Sequence, residues 1–467
     1  MSLTFRAYPY HVKQLIQAAL AAADPATAVR QHLRRDGRLL TIDDHSYNLE
    51  EGQVFLVSVG KAAVPMGMAA AEILADTVAR GIIVTKKTGR DWESEIRDWR
   101  LGIRDSTFSP QPSALSLFEG NHPVSGEDSV RATRAVIDML DETRAKDLVL
   151  CLISGGTSAL LTQPLIPLDD WQQLNQALLR SGCSIDEFNT VRRQLDRVKG
   201  GGLARLAAPA ACVSLILSDV VDNPLAIIGS GPTVPADDTP AAAWALLERY
   251  DIEPAVTADV WQRIKEALEA NNSPASDVES HNFIVSDVRQ AALAAVSKAG
   301  AIGFAAQLLT AQLEGEAREV GRVAAAIARD TPPGRCLIMG GETTVTLHGE
   351  GTGGRNQEMA LAAAIALDGR PNVAIATFAT DGEDGPTDAA GAIVTGETAA
   401  LGRNHGLDPR HFLERNDSYT FFRQLDKKIR ETEEQVSEVD GFQGHLIQTG
   451  STGTNVNDLL FILTYSE

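Results

Sequence analysis

Cysteine, aromatic side chains and positive charge are all scarce in this chain. Its four cysteines in 467 residues, Cys151, Cys183, Cys212 and Cys336, lie far apart. They form no CxxC pair and no Cys/His group of zinc spacing, which excludes a disulfide scaffold or a zinc module and leaves small buried hydrophobes as their expected role. Aromatics make up only 5% and do not interleave with the basic segments, against a stacking platform for single-stranded nucleic acid. Lys and Arg number 42 against 62 Asp and Glu, a formal net charge of −20. DNA, RNA or an anionic membrane face would be repelled over most of such a surface, so an anionic small ligand needs a local cluster of cations and N–H groups. Also missing are GxxxxGK[ST], a GxGxxG after a strand, GxSxG and HExxH, which removes the simplest P-loop, dinucleotide, hydrolase and metalloprotease readings. The first 24 residues lack the apolar core and cleavage site of a secretory signal and read as the first helix of a cytoplasmic protein. The charge-free run Leu148–Leu168 is long enough to span a bilayer, but it holds Ser154-Gly155-Gly156-Thr157-Ser158, Pro164 and Pro167, so it reads as strand, turn and helix start.

What is present is a recurring event. Short, continuously apolar runs end in Gly, Ser or Asp and commonly lead into a helical pattern: Val54–Val59, Leu148–Ile153, Val213–Leu217, Arg335–Met339 and Val373–Phe378. Continuous runs indicate strands buried on both faces, and the alternation predicts an α/β fold with a parallel sheet. Helical spacing is clear after Ser125-Gly126-Glu127-Asp128, over Ala291–Ala299 and over Met359–Leu367. The length suggests two to three domains. The strand pattern stops near Ala236–Pro240, and a helical segment leads into the loop composition of residues 271–276. The expected division is 1–240, a helical connector over 241–280, and 281–467.

Ligands of open α/β sheets bind beyond the carboxyl ends of strands, so the polar strand ends are the candidates. Ser154-Gly155-Gly156-Thr157-Ser158 offers backbone N–H groups and hydroxyls to an oxyanion, although a tight turn would show the same glycines. Lys61 follows the first strand as a point charge. Asn189, Arg192, Arg193, Arg197 and Lys199 run into a triple glycine, and a helix there would put Arg192, Asp196 and Lys199 on one face. Asp219 ends another strand as a candidate Mg²⁺ ligand, with Ser230, Gly231 and Thr233 nearby as donors. Farther on, Glu342, Thr343, Arg355 and Asn356 lie among glycines, and Arg355 opens a helix, where a cation needs an anion beside it. Asp381, Glu383, Asp384 and Asp388 suggest metal or hydroxyl recognition. His122, before Pro123, reads as a structural histidine in a turn.

In chain order, Val59-Gly60-Lys61-Ala62, Gly120-Asn121-His122-Pro123, Ile153–Leu160, Asn189-Thr190-Val191-Arg192, Val198–Gly201, Leu217–Val220, Gly229–Thr233, Gly354–Glu358 and Thr380–Asp388 resemble the class II glycerate 2-kinases. These are the kinases with a C-terminal MOFRL domain, and the resemblance runs from about residue 10 to 465. It implies a Rossmann-like N-terminal domain with helices on both faces of its sheet, a MOFRL-type α/β domain, and an active site in the cleft between them. It implies transfer of phosphate from ATP to the 2-hydroxyl of D-glycerate with Mg²⁺, in the cytoplasm; a homodimer is compatible with it. Lys61 and Arg355 match the catalytic cations. Ser154, Gly155, Gly156, Thr157 and Ser158 match the nucleotide phosphate site, to which Asn189, Arg192, Lys199, Ser230, Gly231 and Thr233 are added. Asp219 and Asp381 are the expected metal carboxylates, Asp219 also a candidate base, and Glu342, Thr343, Asn356, Asp381 and Asp384 form the second-domain site. Some family members are labelled hydroxypyruvate reductases, so a nicotinamide-dependent reductase is the rival enzyme, disfavoured by the missing GxGxxG. A non-catalytic sensor of sugar acids or nucleotides is the third class.

Overall fold

The computed structural model describes residues 3–87, 115–271, 279–432 and 444–466. The chain divides into two compact units, one of residues 25–285 and one combining residues 1–24 with 286–467. The first 24 residues therefore do not belong with the N-terminal sheet. Helix Tyr8–Ala22 packs on helix Val288–Ile302, His11 Nδ1 lies 3.1 Å from the Tyr465 hydroxyl, and Thr454 donates to Ala23 O at 2.6 Å. Residues 241–280 are no separate connector either. Helices Pro240–Arg249 and Ala258–Ala270 contribute Ala243, Leu247, Val260 and Ile264 to one apolar core with Trp171, Leu174 and Val191. Of the loop expected over 271–276, all but Asn271 lies outside the described residues.

In the unit of residues 25–285 a small antiparallel meander, β1 (Leu33–Asp36), β2 (Leu39–Ile42) and β3 (His45–Asn48), precedes the main sheet. That sheet comprises β4 (Val54–Val59), β5 (Val78–Lys86), β6 (Leu115–Gly120), β7 (Leu148–Ile153), β8 (Ala211–Leu217) and β9 (Ser280–Ser286) in the order β6-β5-β4-β7-β8-β9. Strands β4 to β8 pair in parallel. Every residue of β4 and β7 is buried, as their unbroken apolar runs require. Alternate residues of β5 serve two cores: Ile82 and Val84 join the cluster that holds helix Glu127–Leu140, and Ile83 joins that of helix Ala63–Leu74. Helices thus cover both faces, and each fully buried aliphatic side chain contributes about 1.5–3 kcal/mol. The charge-free run resolves into β7, a turn and the short helix Thr157–Leu160, and among the described residues no helix is long and apolar enough to cross a membrane. Cys151, Cys212 and Cys336 are buried and all four thiols are free.

The other unit holds β10 (Ala305–Leu313), β11 (Arg335–Gly341), β12 (Val373–Ala379), β13 (Gly391–Thr395), β14 (Leu446–Ile447) and β15 (Asp458–Thr464), in the order β10-β11-β15-β12-β13-β14. Here the expected parallel sheet is corrected. Among the described residues of this sheet only β10 and β11 pair in parallel; β15 returns antiparallel between β11 and β12, and β13 and β14 follow antiparallel. The apolar run of β15 pairs with strands more than 80 residues earlier in the chain, a partner choice that local pattern does not encode.

Candidate active site

The strand order of the parallel sheet reverses between β4 and β7, the point at which open α/β sheets bind ligands. Lys61 follows β4 and Gly155-Gly156 follows β7, and the two turns are tied together. Lys61 N donates to Gly155 O at 2.8 Å and Ala62 N to Ser154 Oγ at 3.1 Å. Gly60 sits at φ +126°, and a Cβ there would lie 2.2 Å from Ser154 Oγ, so only glycine lets the turns meet. The Thr157 hydroxyl donates to Val59 O and Ser154 O at 3.0 and 2.7 Å. Ser154 and Thr157, expected as phosphate donors, therefore spend their hydroxyls joining the turns. The Gly155 and Gly156 N–H groups make no backbone–backbone bond among those between turns and loops of the described residues.

Asp219, just past β8, reaches the same place: a Cβ on Gly155 would sit 1.9 Å from Asp219 Oδ2. We expect Gly155→Ala to push that carboxylate aside while the melting temperature changes little. A displacement of that size costs about 10²-fold in turnover, and kinetics beside a thermal melt would separate the two effects. His122 belongs here too, contrary to its expected structural role. A Cβ on Gly156 would lie 3.1 Å from His122 Cδ2 and 3.4 Å from Lys61 Cγ. Burial first, then the Lys61 and Lys86 charges, push the imidazole down to about 4 from 6.5. The unfolded chain takes up this proton below 6.5 and the folded one only near 4, so its stability contribution is present above 6.5 and is lost as pH falls through 4. A histidine NMR titration should find His122 still neutral at about pH 5.5. Its sequence signal is a histidine two residues past a strand end, in the loop Asn121-His122-Pro123.

Arg192 and Lys199 turn inward. Helix Ile185–Gln194 opens on a Ser184/Glu187 capping box and stops before Asp196, so the single helical face expected to carry Arg192, Asp196 and Lys199 does not form. The three meet nonetheless. Lys199 is 1% exposed; its Nζ donates to Ser158 O at 2.8 Å and Leu161 O at 2.9 Å and lies 3.9 Å from Asp196 Oδ2. Burial pushes this amine down to about 7 against the pull of Asp196. Arg192 donates to Ser158 O at 2.9 Å and lies over the Phe188 ring at 5.0 Å. Asp196 accepts from the Thr162 hydroxyl at 2.5 Å and from Gln163 N and Val198 N. The Ser158 hydroxyl meets that of Ser230 at 3.0 Å, Ser230 donates to Asn189 Oδ1 at 2.9 Å, and Gly231 N closes a turn onto Ile228 O. Thr233 is fully buried, between Ser214 and Asn282. Arg192, Lys199 and Ser230 thus fix Ser158 and Leu161, in the segment that follows the Gly155-Gly156 turn.

In the other unit the sheet register sets Asp458, the first residue of β15, beside Gly341 at the end of β11 and Ala379 at the end of β12. Glu342 and Asp381 follow those two strand ends. Arg355 Nε and Nη2 grip Asp458 at 2.5 and 2.9 Å, and Nη1 lies 3.0 Å from Glu342 Oε1. Burial opposes the guanidinium charge, but the hydrogen bonds and attraction of Asp458, then Glu342 and Asp384, raise its pKa. The anion expected beside a cation at a helix start is thus the protein's own. Asp384 caps the same helix, accepting from Asn356 N at 3.0 Å and Gln357 N at 2.8 Å, and burial pushes it up to about 6 against those bonds. Asn356 and Thr343 are buried, and Asp381 Oδ1 accepts from Glu383 N within its turn. Asp458 escaped sequence reading; its signal was an aspartate directly before an apolar run.

Residues 11–265 match a family model described as a domain of unknown function, and residues 335–458 match the MOFRL family. The D-glycerate 2-kinase of Thermotoga maritima is 38% identical, with 96% of each chain aligned. A putative hydroxypyruvate reductase of Agrobacterium vitis is 36% identical over 97% of this chain and 93% of its own. The crystal structure of the Thermotoga maritima glycerate kinase superposes with a TM-score of 0.79 at 37% identity, covering 98% of this chain and 100% of that one. With both domain types matched in order along nearly the whole sequence, the chain belongs to the MOFRL-containing glycerate 2-kinase family.

Proposed function

We propose that this protein transfers the γ-phosphoryl group of ATP to the 2-hydroxyl of D-glycerate. The observation that carries the reading is the joining of Lys61 to the Gly155-Gly156 turn at the switch point of the sheet. Phosphoryl transfer needs positioning and neutralisation of charge spread over three oxygens, with little covalent help. Lys61 supplies the point charge and the Gly155 and Gly156 N–H groups the fixed donors. Arg192, Lys199 and Ser230, inside the protein, anchor Ser158, two residues after that turn. Arg355, in the other unit, matches the second cation that the family resemblance gives as catalytic. The substrate oxygen bonds to phosphorus as the bond to the ADP oxygen breaks, and the hydroxyl proton passes to water.

Among the described residues no three His, Cys, Asp or Glu side chains group as a metal cage. Mg²⁺ in nucleotide sites is commonly held by one or two carboxylates together with the substrate phosphates, and Asp219 beside the Gly155 turn fits that mode. When bound there, Mg²⁺ would offset phosphate charge. Asp381, beside Asp458, is the weaker choice of ligand because it belongs to the carboxylate row around Arg355.

The name hydroxypyruvate reductase borne by one relative suits this chain less well. The turn after β4 reads Gly60-Lys61-Ala62-Ala63, without the glycines that bring a backbone against a dinucleotide pyrophosphate. ADP release should depend on D-glycerate, while NADH absorbance stays constant with hydroxypyruvate. Oxidation of NADH without ADP release would reverse the assignment.

A further inference from the structure

Anchoring of Ser158 accounts for Arg192 and Lys199 but not for the rest of the basic run. Arg193 and Arg197, together with Arg205, line a cavity of about 620 Å³ within the unit of residues 25–285. Its walls are the end of helix Ile185–Gln194, residues 200–202, the start of helix Pro240–Arg249 and the end of helix Ala258–Ala270. Among the described residues its lining includes none of Lys61, Gly155, Gly156 and Asp219, so it is a place separate from the switch point of the sheet. The walls are tied to one another. Arg193 pairs with Asp238 and donates to Ala226 O at 3.2 Å, Gln194 Nε2 donates to Asp238 O at 2.9 Å, and Asn271 Nδ2 donates to Gln194 O at 2.8 Å. A cavity held open in this way has little ordering cost left when a ligand enters.

The charges that line it do not cancel. Asp238 is taken by Arg193, and Asp196 accepts from the Thr162 hydroxyl, Gln163 N and Val198 N beside the Lys199 amine. Arg205 Nη1 donates to Gly200 O at 3.0 Å. Its guanidinium lies along the next two residues: a Cβ on Gly201 would be 3.4 Å from Nη1, and one on Gly202 3.5 Å from Nη2. Burial lowers the Arg205 pKa, and no carboxylate acts to raise it. Among the described residues neither Arg197 nor Arg205 forms an ion pair, and the lining has one carboxylate in the same condition, the exposed Asp237. Two guanidiniums against one free carboxylate, in a chain of net charge −20, make a local attractor for anions. Beside them Leu165, 41% exposed, and the partly buried Leu206 supply an apolar surface.

We propose that this cavity binds a phosphate monoester of a small organic molecule, with Arg205 and Arg197 on the phosphate and Leu165 and Leu206 against the organic part. The planar guanidinium fork matches phosphate oxygens, and its hydrogen bonds to a charged acceptor are the strong kind. The volume falls within the range of small-molecule sites, about 300–1,000 Å³, and exceeds what a bare phosphate fills. The inference does not use the kinase reading.

The probe is glycerol 1-phosphate, titrated by calorimetry at low salt into the Lys61→Ala protein, whose switch point has lost its cation; glycerol is the uncharged control. The ester should bind and glycerol should not. Adding Arg205→Gln should weaken binding about tenfold or more, through loss of charge-assisted hydrogen bonds. Adding Arg197→Gln should weaken it about two- to fivefold, as for an exposed charge. Arg289→Gln, at an exposed arginine in the other unit, should leave it unchanged. If Arg205→Gln fails to fold by thermal melt, Arg197→Gln, altered at an exposed side chain, decides alone. Absence of ester binding, binding undiminished in Arg197→Gln, or an equal loss in Arg289→Gln would overturn the proposal. In proteins that keep Lys61, Arg197→Gln should leave D-glycerate-dependent ADP release unchanged when no ester is added. A fall there would make the cavity part of the catalytic site and overturn it as a second one. Ester binding that follows the arginines in a protein without turnover would defeat the kinase reading and leave this site standing.

Discussion

Lys61→Ala is expected to lose about 10³- to 10⁵-fold in D-glycerate-dependent ADP release, the range observed when a cation at a transferred phosphoryl group is removed. That corresponds to roughly 4–7 kcal/mol of barrier. The fold should survive. Lys61 is only partly buried, its backbone N–H rather than its side chain joins the two turns, and alanine keeps that bond to Gly155 O. A substitution away from core packing typically stays within about 0.5 kcal/mol of the parent stability. Arg355→Ala, at the position that matches the family's catalytic arginine, should lose turnover on a similar scale. Near-normal turnover in a folded Lys61→Ala protein would remove Lys61 from the reaction.

Lys199→Met should destabilise the protein by about 1–3 kcal/mol, the cost of leaving buried acceptors without their donor. The change leaves Ser158 O and Leu161 O without this donor and Asp196 without its nearest cation. Its pH dependence follows from the direction in which the amine shifts. Burial holds the folded amine at about 7 against 10.5 in the open chain. Between those values the unfolded state binds the extra proton, so the parent protein gains stability from this group as pH rises from 7 to 10.5. The gap between parent and Lys199→Met in urea unfolding should therefore be wider at about pH 9 than at about pH 7. A gap that narrows, or a variant as stable as the parent, would mean that Lys199 does not anchor Ser158 and Leu161 after the Gly155-Gly156 turn.

The sequence was most legible where burial on both faces writes itself into composition. Runs such as Val54–Val59 and Leu148–Ile153 have no other stable use, and both are strands over those same residues. Their polar ends, at Lys61 and Gly155-Gly156, meet at the switch point of the sheet, since a strand end in a parallel sheet is where backbone leaves the core. The path of β15 was not legible, because its partners lie far away in sequence, and with it went Asp458 and the reason that Arg355 can open a helix. The inward turn of Arg192 and Lys199 was hidden for a related reason. A basic run normally faces water, and only carbonyls more than 30 residues away, at Ser158 and Leu161, make its burial tolerable. Ser154 and Thr157 looked like phosphate donors because local pattern gives no sign that β4 lies within reach of their hydroxyls.

The central claim, phosphoryl transfer to the 2-hydroxyl, is tested most directly by phosphorus NMR of the product formed from D-glycerate, ATP and Mg²⁺. The account predicts resonances of ADP and 2-phosphoglycerate growing together, and neither growing in Lys61→Ala. A 3-phospho ester, or ADP with free phosphate and no ester at all, would contradict it.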